Sequence, residues 1–276
     1  MNAFILDPIL RRALEEDIGT GDVTTMATIE PGTQAGAELV AKEDFVLAGI
    51  DVAQRVFQLL SADIAFENLI SDGQSVKRGE VLAWIKGDAA VLLQGERVAL
   101  NLLQRMCGVA TLTAAFVKEV EGTRAVVVDT RKTTPGLRVL EKYAVRMGGG
   151  GNHRMALYDA VLIKENHVAA AGGIAAAVSR AQQRVPHTQK IEVEVRNQDE
   201  VAEALQAGAD ILLLDNMSLE ELSAAVERVG DRAVTEASGG VKLDSVRAIA
   251  ETGVHLISVG ALTHSYRAVD ISMLFT

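Results

Sequence analysis

From Ala125 to Val259 one pattern recurs six times: a short aliphatic run, a polar break, then a helical segment. The runs are Ala125–Val128, Ala160–Ile163, Ile191–Val195, Ile211–Leu214, Ala233–Ala237 and Leu256–Val259. Helical segments such as Ile174–Arg184, Asp199–Ala207, Leu219–Val229 and Leu243–Glu251 separate them. Strand, helix, strand in succession calls for parallel strands joined by crossovers on the faces of one sheet. Runs this uniformly aliphatic suit strands covered on both faces. Six or seven such units fit a relative of the eight-unit barrel, left incompletely closed.

Each run ends in chemistry. AVVVD leads into Thr130, Arg131 and Lys132, AVLI into Lys164, and ILLL into Asp215. IEVEV carries Glu194, VTEA leads into Ser238, Gly239 and Gly240, and LISV into Gly260. In barrels of this kind the carboxyl ends of the strands hold the active site. Strand alternation turns Glu192 and Glu194 to the face opposite Ile191, Val193 and Val195. The helices claim the aliphatic face, so the glutamates point inward, where a carboxylate needs a cation or hydroxyl groups to answer it. The same parity groups Leu162 with Lys164, Leu213 with Asp215, and Glu236 with Ser238. A structural ion pair between Lys164 and an interior acid is the alternative. The glycine elements SGG (238–240) and SVGA (258–261) follow the last two strands, where barrel loops bind phosphate through backbone N–H groups. MGGGG (147–151) lacks the Gly-Lys-Ser/Thr ending of a nucleotide loop and reads as a binding loop or a spacer.

Charge narrows the ligand. Between Thr130 and Lys164 stand Arg131, Lys132, Arg138, Lys142, Arg146, Arg154 and Lys164 against only Glu141 and Asp159. That window carries +5 in a chain of net charge −10, leaving −15 elsewhere. A compact basic island in an acidic protein points to a small anion, and the overall charge argues against nucleic acid. Arg138, Lys142 and Arg146, at helical spacing, read as a solvated face. So does the stripe Arg97, Asn101, Gln104, Arg105 and Gly108. The remaining histidines (His167, His187, His255, His264) lack metal-ligand spacing. Trp84 reads as packed and Cys107 as a small buried hydrophobe.

A single cysteine cannot form an internal disulfide, MNAFILDPIL has no basic leader, and Val168–Val178 is too short to span a bilayer. These features predict a soluble, cytoplasmic protein. Asp7-Pro8 predicts a helix start, with Gly19 as its end. Strands are expected at Ala37–Lys42, Phe45–Ala48, Ile64–Leu69 and Val81–Ile85, with a helix at Val52–Leu60. A long helix from Ala89 toward Val120 bridges the two parts. The predicted class is α/β, with an N-terminal α/β sandwich over residues 1–108 and a C-terminal open barrel of parallel strands over 109–276.

EEDIGTGDVTT (15–25), ALNLLQRMCGVAT (99–111), the block DTRKTTPGLRVLEKYAVRMGGGGNHRMALYDAVLIKENH (129–167), IEVEV, LLLDNMS (212–218), EASGG and SVGALTHS resemble the quinolinate phosphoribosyltransferases. The resemblance implies condensation of quinolinate with phosphoribosyl pyrophosphate, with magnesium, to nicotinate mononucleotide, pyrophosphate and carbon dioxide. It implies a dimer or larger homo-oligomer. By motif position, Arg131, Lys132, His153, Arg154 and Lys164 would surround quinolinate's carboxylates and the pyrophosphate, with Thr130 beside them. Glu194 and Asp215 would meet the ribose hydroxyls and magnesium. Ser238, Gly239, Gly240, Ser258, Val259, Gly260 and Ala261 would form the 5′-phosphate site, and Arg105 would enter from the partner subunit. Among these, Lys132, Lys164, Glu194 and Asp215 are the expected catalytic set. A paralogue associated with molybdenum transport, a Schiff-base aldolase using Lys164, and a non-catalytic metabolite-binding protein are the rival readings.

Overall fold

A computed structural model describes every residue, Met1–Thr276. In chain order the first elements are α1 (Ala3–Ile18), α2 (Val23–Thr28), β1 (Gln34–Ala41), β2 (Phe45–Val46), α3 (Ile50–Leu60), β3 (Ala65–Asn68), β4 (Ser75–Val76), β5 (Val81–Asp88) and α4 (Ala89–Glu119). There follow β6 (Val126–Val128), α5 (Arg138–Met147), β7 (Val161–Ile163), α6 (Glu165–Ala171), α7 (Ile174–Arg184), β8 (Ile191–Val195), α8 (Gln198–Ala207) and β9 (Ile211–Asp215). Last come α9 (Leu219–Val229), β10 (Val234–Ser238), α10 (Val246–Glu251), β11 (Leu256–Ser258), α11 (Ala261–His264) and β12 (Ile271–Phe275). The chain divides into two compact units. One comprises residues 1–114, 134–149 and 266–276, the other 115–133 and 150–265. A division at residue 108 would cut α4. Both units are discontinuous because α5 and β12 return to the first.

The first unit is built on an antiparallel sheet of order β12-β1-β5-β3, with a small β2–β4 pair beside it. Ala37, Leu39 and Ala41 of β1 and Leu82, Ala83 and Ile85 of β5 are buried. So are Ile50, Val52, Ala53, Val56 and Phe57 of α3. The closing strand β12, which the periodic reading did not find, pairs with β1. α1 begins at Asn2, whose side chain accepts the N–H of Phe4, and Pro8 lies inside it. Asp7 does not cap; it receives Arg55 through two hydrogen bonds, of 2.9 and 2.7 Å. α4 has the length and apolarity of a bilayer span, but 56% of its most apolar window is buried within the protein, as in a core helix.

Three expectations about single residues fail here. Lys142 is fully buried, so only part of the α5 face is solvated, with Arg146 exposed against the Tyr143 ring. The polar stripe of α4 is exposed at Arg97 and Asn101, but Gln104 and Arg105 are half-buried and Gly108 is buried. Gln104 donates to the carbonyl of Ile271, which ties α4 to β12. Trp84 is 49% exposed, on the outer face of the sheet, where its indole N–H donates to Glu38 across the strand pair.

The second unit is a six-stranded sheet of order β6-β11-β10-β9-β8-β7, every pairing parallel. Val193, Val195, Leu212, Leu214 and Ile257 are completely buried, as strands covered on both faces require. The sheet stays open between β6 and β7, and Gly151 adds one parallel bridge to Val128 on the free side of β6. Two of the helices are capped by side chains: Asn197 accepts two N–H groups at α8, and Ser218 with Glu221 forms a reciprocal capping box at α9.

MGGGG, read from the sequence as a binding loop or a spacer, is tightly packed at its start. Gly148 is buried at the end of α5, and a Cβ there would collide with the Ala110 carbonyl and the Thr113 side chain of α4. Backbone cannot yield as a flexible side chain can. Gly148→Ala should therefore lower stability by about 1–3 kcal/mol, read as a fall in the thermal unfolding midpoint.

Candidate active site

The strand ends of the second unit converge on a cavity of about 500 Å³. Arg131 and Lys132, from the loop after β6, line it together with Thr130. That loop is tied down at both ends: the Lys132 N–H donates to Thr130 Oγ1 at 3.0 Å, and Thr263 of α11 donates to the Lys132 carbonyl at 2.8 Å. Asp129, fully buried at the end of β6, accepts from Asn152 Nδ2 at 2.6 Å and from the His153 N–H at 3.0 Å. The β6 end thus clamps the 150–154 segment, which delivers His153 and Arg154 to the cavity.

Arg154 donates from Nη1 to the Ala160 carbonyl, while its buried Nε has no hydrogen-bond partner. Burial, and then the neighbouring Arg131 charge, pull its pKa below the usual guanidinium value. The charge of Glu192 offsets this only in part, so the guanidinium keeps capacity for a further anion. His153 accepts the Arg154 N–H at Nδ1 (2.7 Å) and sets Nε2 3.1 Å from Glu192 Oε2 and 3.6 Å from Glu236 Oε1. Lys164, at the end of β7, pairs with Glu194 of β8 at 2.9 Å. The interior ion pair weighed from the sequence is therefore present, and both partners line the cavity.

The far wall belongs to β9, β10 and β11. Asp215 accepts from Asn216 Nδ2 at 2.8 Å. Asn216 is the one non-glycine residue with positive φ, and its N–H reaches the Ser238 carbonyl across the sheet. Gly239 must be glycine, because φ is +98° and a Cβ would strike the Asn216 side chain. The N–H groups of Gly239 and Gly240 make no internal hydrogen bond and stand available to an anion.

The cavity gathers Thr130, Arg131, Lys132, His153, Arg154, Lys164, Glu194, Asp215, Ser238, Gly239, Gly240 and Ser258. Val259, Gly260 and Ala261 are not among its walls. Val259 is buried, and its N–H is spent on the Val128 carbonyl within the sheet. Arg105 belongs to the other compact unit, where it stacks over Tyr266 at 5.3 Å and donates to Thr134 at 2.9 Å. Sequence reasoning passed over Asp129, Asn152 and Asn216 and gave Glu192 and Glu236 no role. Inward parity was the available signal for the two glutamates.

Glu236 is 1% exposed, and burial pushes its carboxyl up to about 7, with the charge of Glu192 adding to the rise and His153 opposing it. A carboxyl raised above its ordinary value in the fold favours folding below that ordinary value, and loses the contribution as pH rises through 7. Glu236→Gln removes this pH-dependent cost. Its stability relative to the parent should be higher at pH 8, by on the order of 1–3 kcal/mol, and the gain should vanish below pH 4.5. Denaturant titrations at the two pH values check this.

The comparisons agree along the whole chain. Residues 22–107 match the family model described as quinolinate phosphoribosyl transferase, N-terminal domain, and residues 109–274 match the one for the C-terminal domain. A "probable nicotinate-nucleotide pyrophosphorylase [carboxylating]" of Bacillus subtilis is 44% identical, over 99% of this chain and 94% of that protein. The crystal structure of NadC from Streptococcus pyogenes superposes with a TM-score of 0.96 at 42% identity, covering 100% of this chain and 98% of that one. The nicotinate-nucleotide pyrophosphorylase from Francisella tularensis gives 0.95 at 40%, with the same coverage.

Proposed function

The chain belongs to the quinolinate phosphoribosyltransferase family, and from that premise we propose that the cavity at the ends of β6 to β11 is where its two anionic substrates meet. The activity is that of a carboxylating nicotinate-nucleotide pyrophosphorylase. Phosphoribosyl passes from phosphoribosyl pyrophosphate to quinolinate, which loses carbon dioxide and becomes nicotinate mononucleotide on the de novo route to NAD. The observation that carries the siting is the cluster of Arg131, Lys132, Arg154 and Lys164 around one cavity, in a protein of net negative charge.

Each group has a chemical reason. Arginine forks suit planar carboxylates, so Arg131 and Arg154 are assigned to quinolinate, with His153 beside them. Lysine suits a spread phosphate charge, so Lys132 and Lys164 are assigned to the pyrophosphate. The pyridine nitrogen attacks with its own lone pair and needs no general base, which fits a site without a nucleophile–base pair. What the step requires is stabilisation of the negative charge on departing pyrophosphate, and fixed cations supply it. The ring cation so formed then stabilises the electron pair of the C2–carboxylate bond on C2 as carbon dioxide leaves, and C2 takes a proton from water to give the product. Glu194 and Asp215 are assigned to the ribose hydroxyls. Their oxygens also suit a hard divalent ion, so magnesium carried by phosphoribosyl pyrophosphate would lie against them and offset phosphate charge. The 5′-phosphate is assigned to Ser238, Gly239, Gly240 and Ser258, which line the cavity. The protein is assigned to the cytoplasm.

Lys164 acts by charge in this account, and its pairing with Glu194 supports that over a Schiff base. Quinolinate-dependent pyrophosphate release from phosphoribosyl pyrophosphate tests the siting. Lys164→Ala should fold and lose most of that activity. Nicotinate, lacking the 2-carboxylate, should turn over poorly, since removing one partner of a desolvated charge pair costs about 2–5 kcal/mol. Equal turnover of the two acids would refute the assignment of Arg131 and Arg154.

The active sites are further assigned to a two-fold dimer, with Arg105 supplied in trans. Its guanidinium is stacked and half-buried, and its Nε has no partner within its own chain. Arg105→Ala and Lys164→Ala should each be nearly inactive alone. Mixed after dissociation, about half the dimers are hybrids, each with one intact site, so activity should return to roughly a quarter of the parent's. No recovery would place Arg105 in its own subunit's site.

A further inference from the structure

Glu192 and Glu236 take no part in the steps above, yet both are buried, at 5% and 1% exposure, Glu236 lining the cavity and Glu192 lying against His153, which lines it. They project from β8 and β10, on either side of β9, and converge on the imidazole of His153. Their Oε1 atoms are buried without hydrogen-bond partners. Such groups are expensive to retain unless they hold something in place.

The ring shows what is held. Nδ1 of His153 accepts the Arg154 backbone N–H at 2.7 Å. A ring nitrogen that accepts carries no proton, so the imidazole is neutral and its proton sits on Nε2, facing Glu192 at 3.1 Å. One N–H cannot answer two carboxylates. The ligand atoms of all three residues lie within 4.8 Å of one another, and two negative charges that close and that buried repel strongly.

We propose that Glu192 and Glu236 are positioning residues for quinolinate binding: from either side of β9 they clamp His153 as the Nε2–H imidazole and so fix the segment from which Arg154 reaches the substrate. The link to Arg154 is direct, because the Arg154 N–H is the group bound to Nδ1. The other end of the segment is held by Asp129 through Asn152 and the His153 N–H. This inference rests on the reading that quinolinate binds in this cavity.

The test begins with long-range 15N–1H spectra of the histidine rings in the full-length protein, without substrate, with His153 assigned by comparison with His153→Gln. The expected spectrum shows His153 Nδ1 unprotonated and Nε2 protonated at neutral pH. An imidazolium, the Nδ1–H tautomer, or a stoichiometric divalent metal ion on the ring would overturn the proposal. Kinetics supply the second arm. Glu192→Ala should raise the KM for quinolinate at least tenfold, leaving kcat and the KM for phosphoribosyl pyrophosphate within about threefold, and Glu192→Gln should recover most of the loss. Equal damage to all three constants would mean a merely structural role and overturn it. Should Glu192→Ala fail to fold, Glu236→Gln decides: its amide keeps an acceptor oxygen of the same reach beside Nε2, so the His153 spectrum should persist, and displaced ring shifts would overturn the clamp. The spectra need no substrate, so their outcome is independent of whether quinolinate is the substrate.

Discussion

Carboxylates turned into the interior of a parallel sheet set the terms for everything around them. Asp129, Glu192 and Glu236 are almost wholly buried, and Glu194 is 14% exposed at its side chain. Ionised groups in such places are tolerated only when cations or hydrogen-bond donors answer them. Here the answers come from three sources: Lys164 to Glu194, Asn152 and the His153 backbone to Asp129, and the His153 ring to Glu192. Arg154, beside them, keeps a buried nitrogen unpaired. The acids thus hold basic side chains at the strand ends with donor capacity left over, which is the capacity the proposed siting of a polyanionic substrate calls on.

The scaffold serves this purpose by separating stability from chemistry. Val193, Val195, Leu212, Leu214 and Ile257 of β8, β9 and β11 are completely buried, and α8 and α9 beside them carry their own side-chain caps. With packing settled there, the strand ends can carry strain and charge: an asparagine in the left-handed region, a Gly239 that leaves no room for a Cβ, and a carboxyl raised to about 7. Such features concentrate where a fold pays for function.

Much of this was legible in the sequence. The six aliphatic runs stand out because strands covered on both faces cannot hide polar residues, and parity alone turned Glu192, Glu194 and Glu236 inward. What stayed hidden depends on contacts between distant residues. Asp7-Pro8 imitates a helix start, but Asp7 is claimed by Arg55, 48 residues on. β12 has no periodic signal of its own and exists because β1 offers an edge. Lys142 has the spacing of a solvated face and is nevertheless fully buried. The His153 clamp was invisible because its ring comes from an irregular segment with no period to read. The family resemblance supplied substrates and residue roles that spacing could not.

The central claim is that one cavity at the carboxyl ends of β6 to β11 receives both substrates. A difference electron-density map of crystals holding quinolinate and a non-reactive analogue of phosphoribosyl pyrophosphate tests it most directly. The account requires the dicarboxylate against Arg131 and Arg154 and the 5′-phosphate on the Gly239–Gly240 turn. Either ligand found outside that cavity, or the two exchanged within it, would contradict the account.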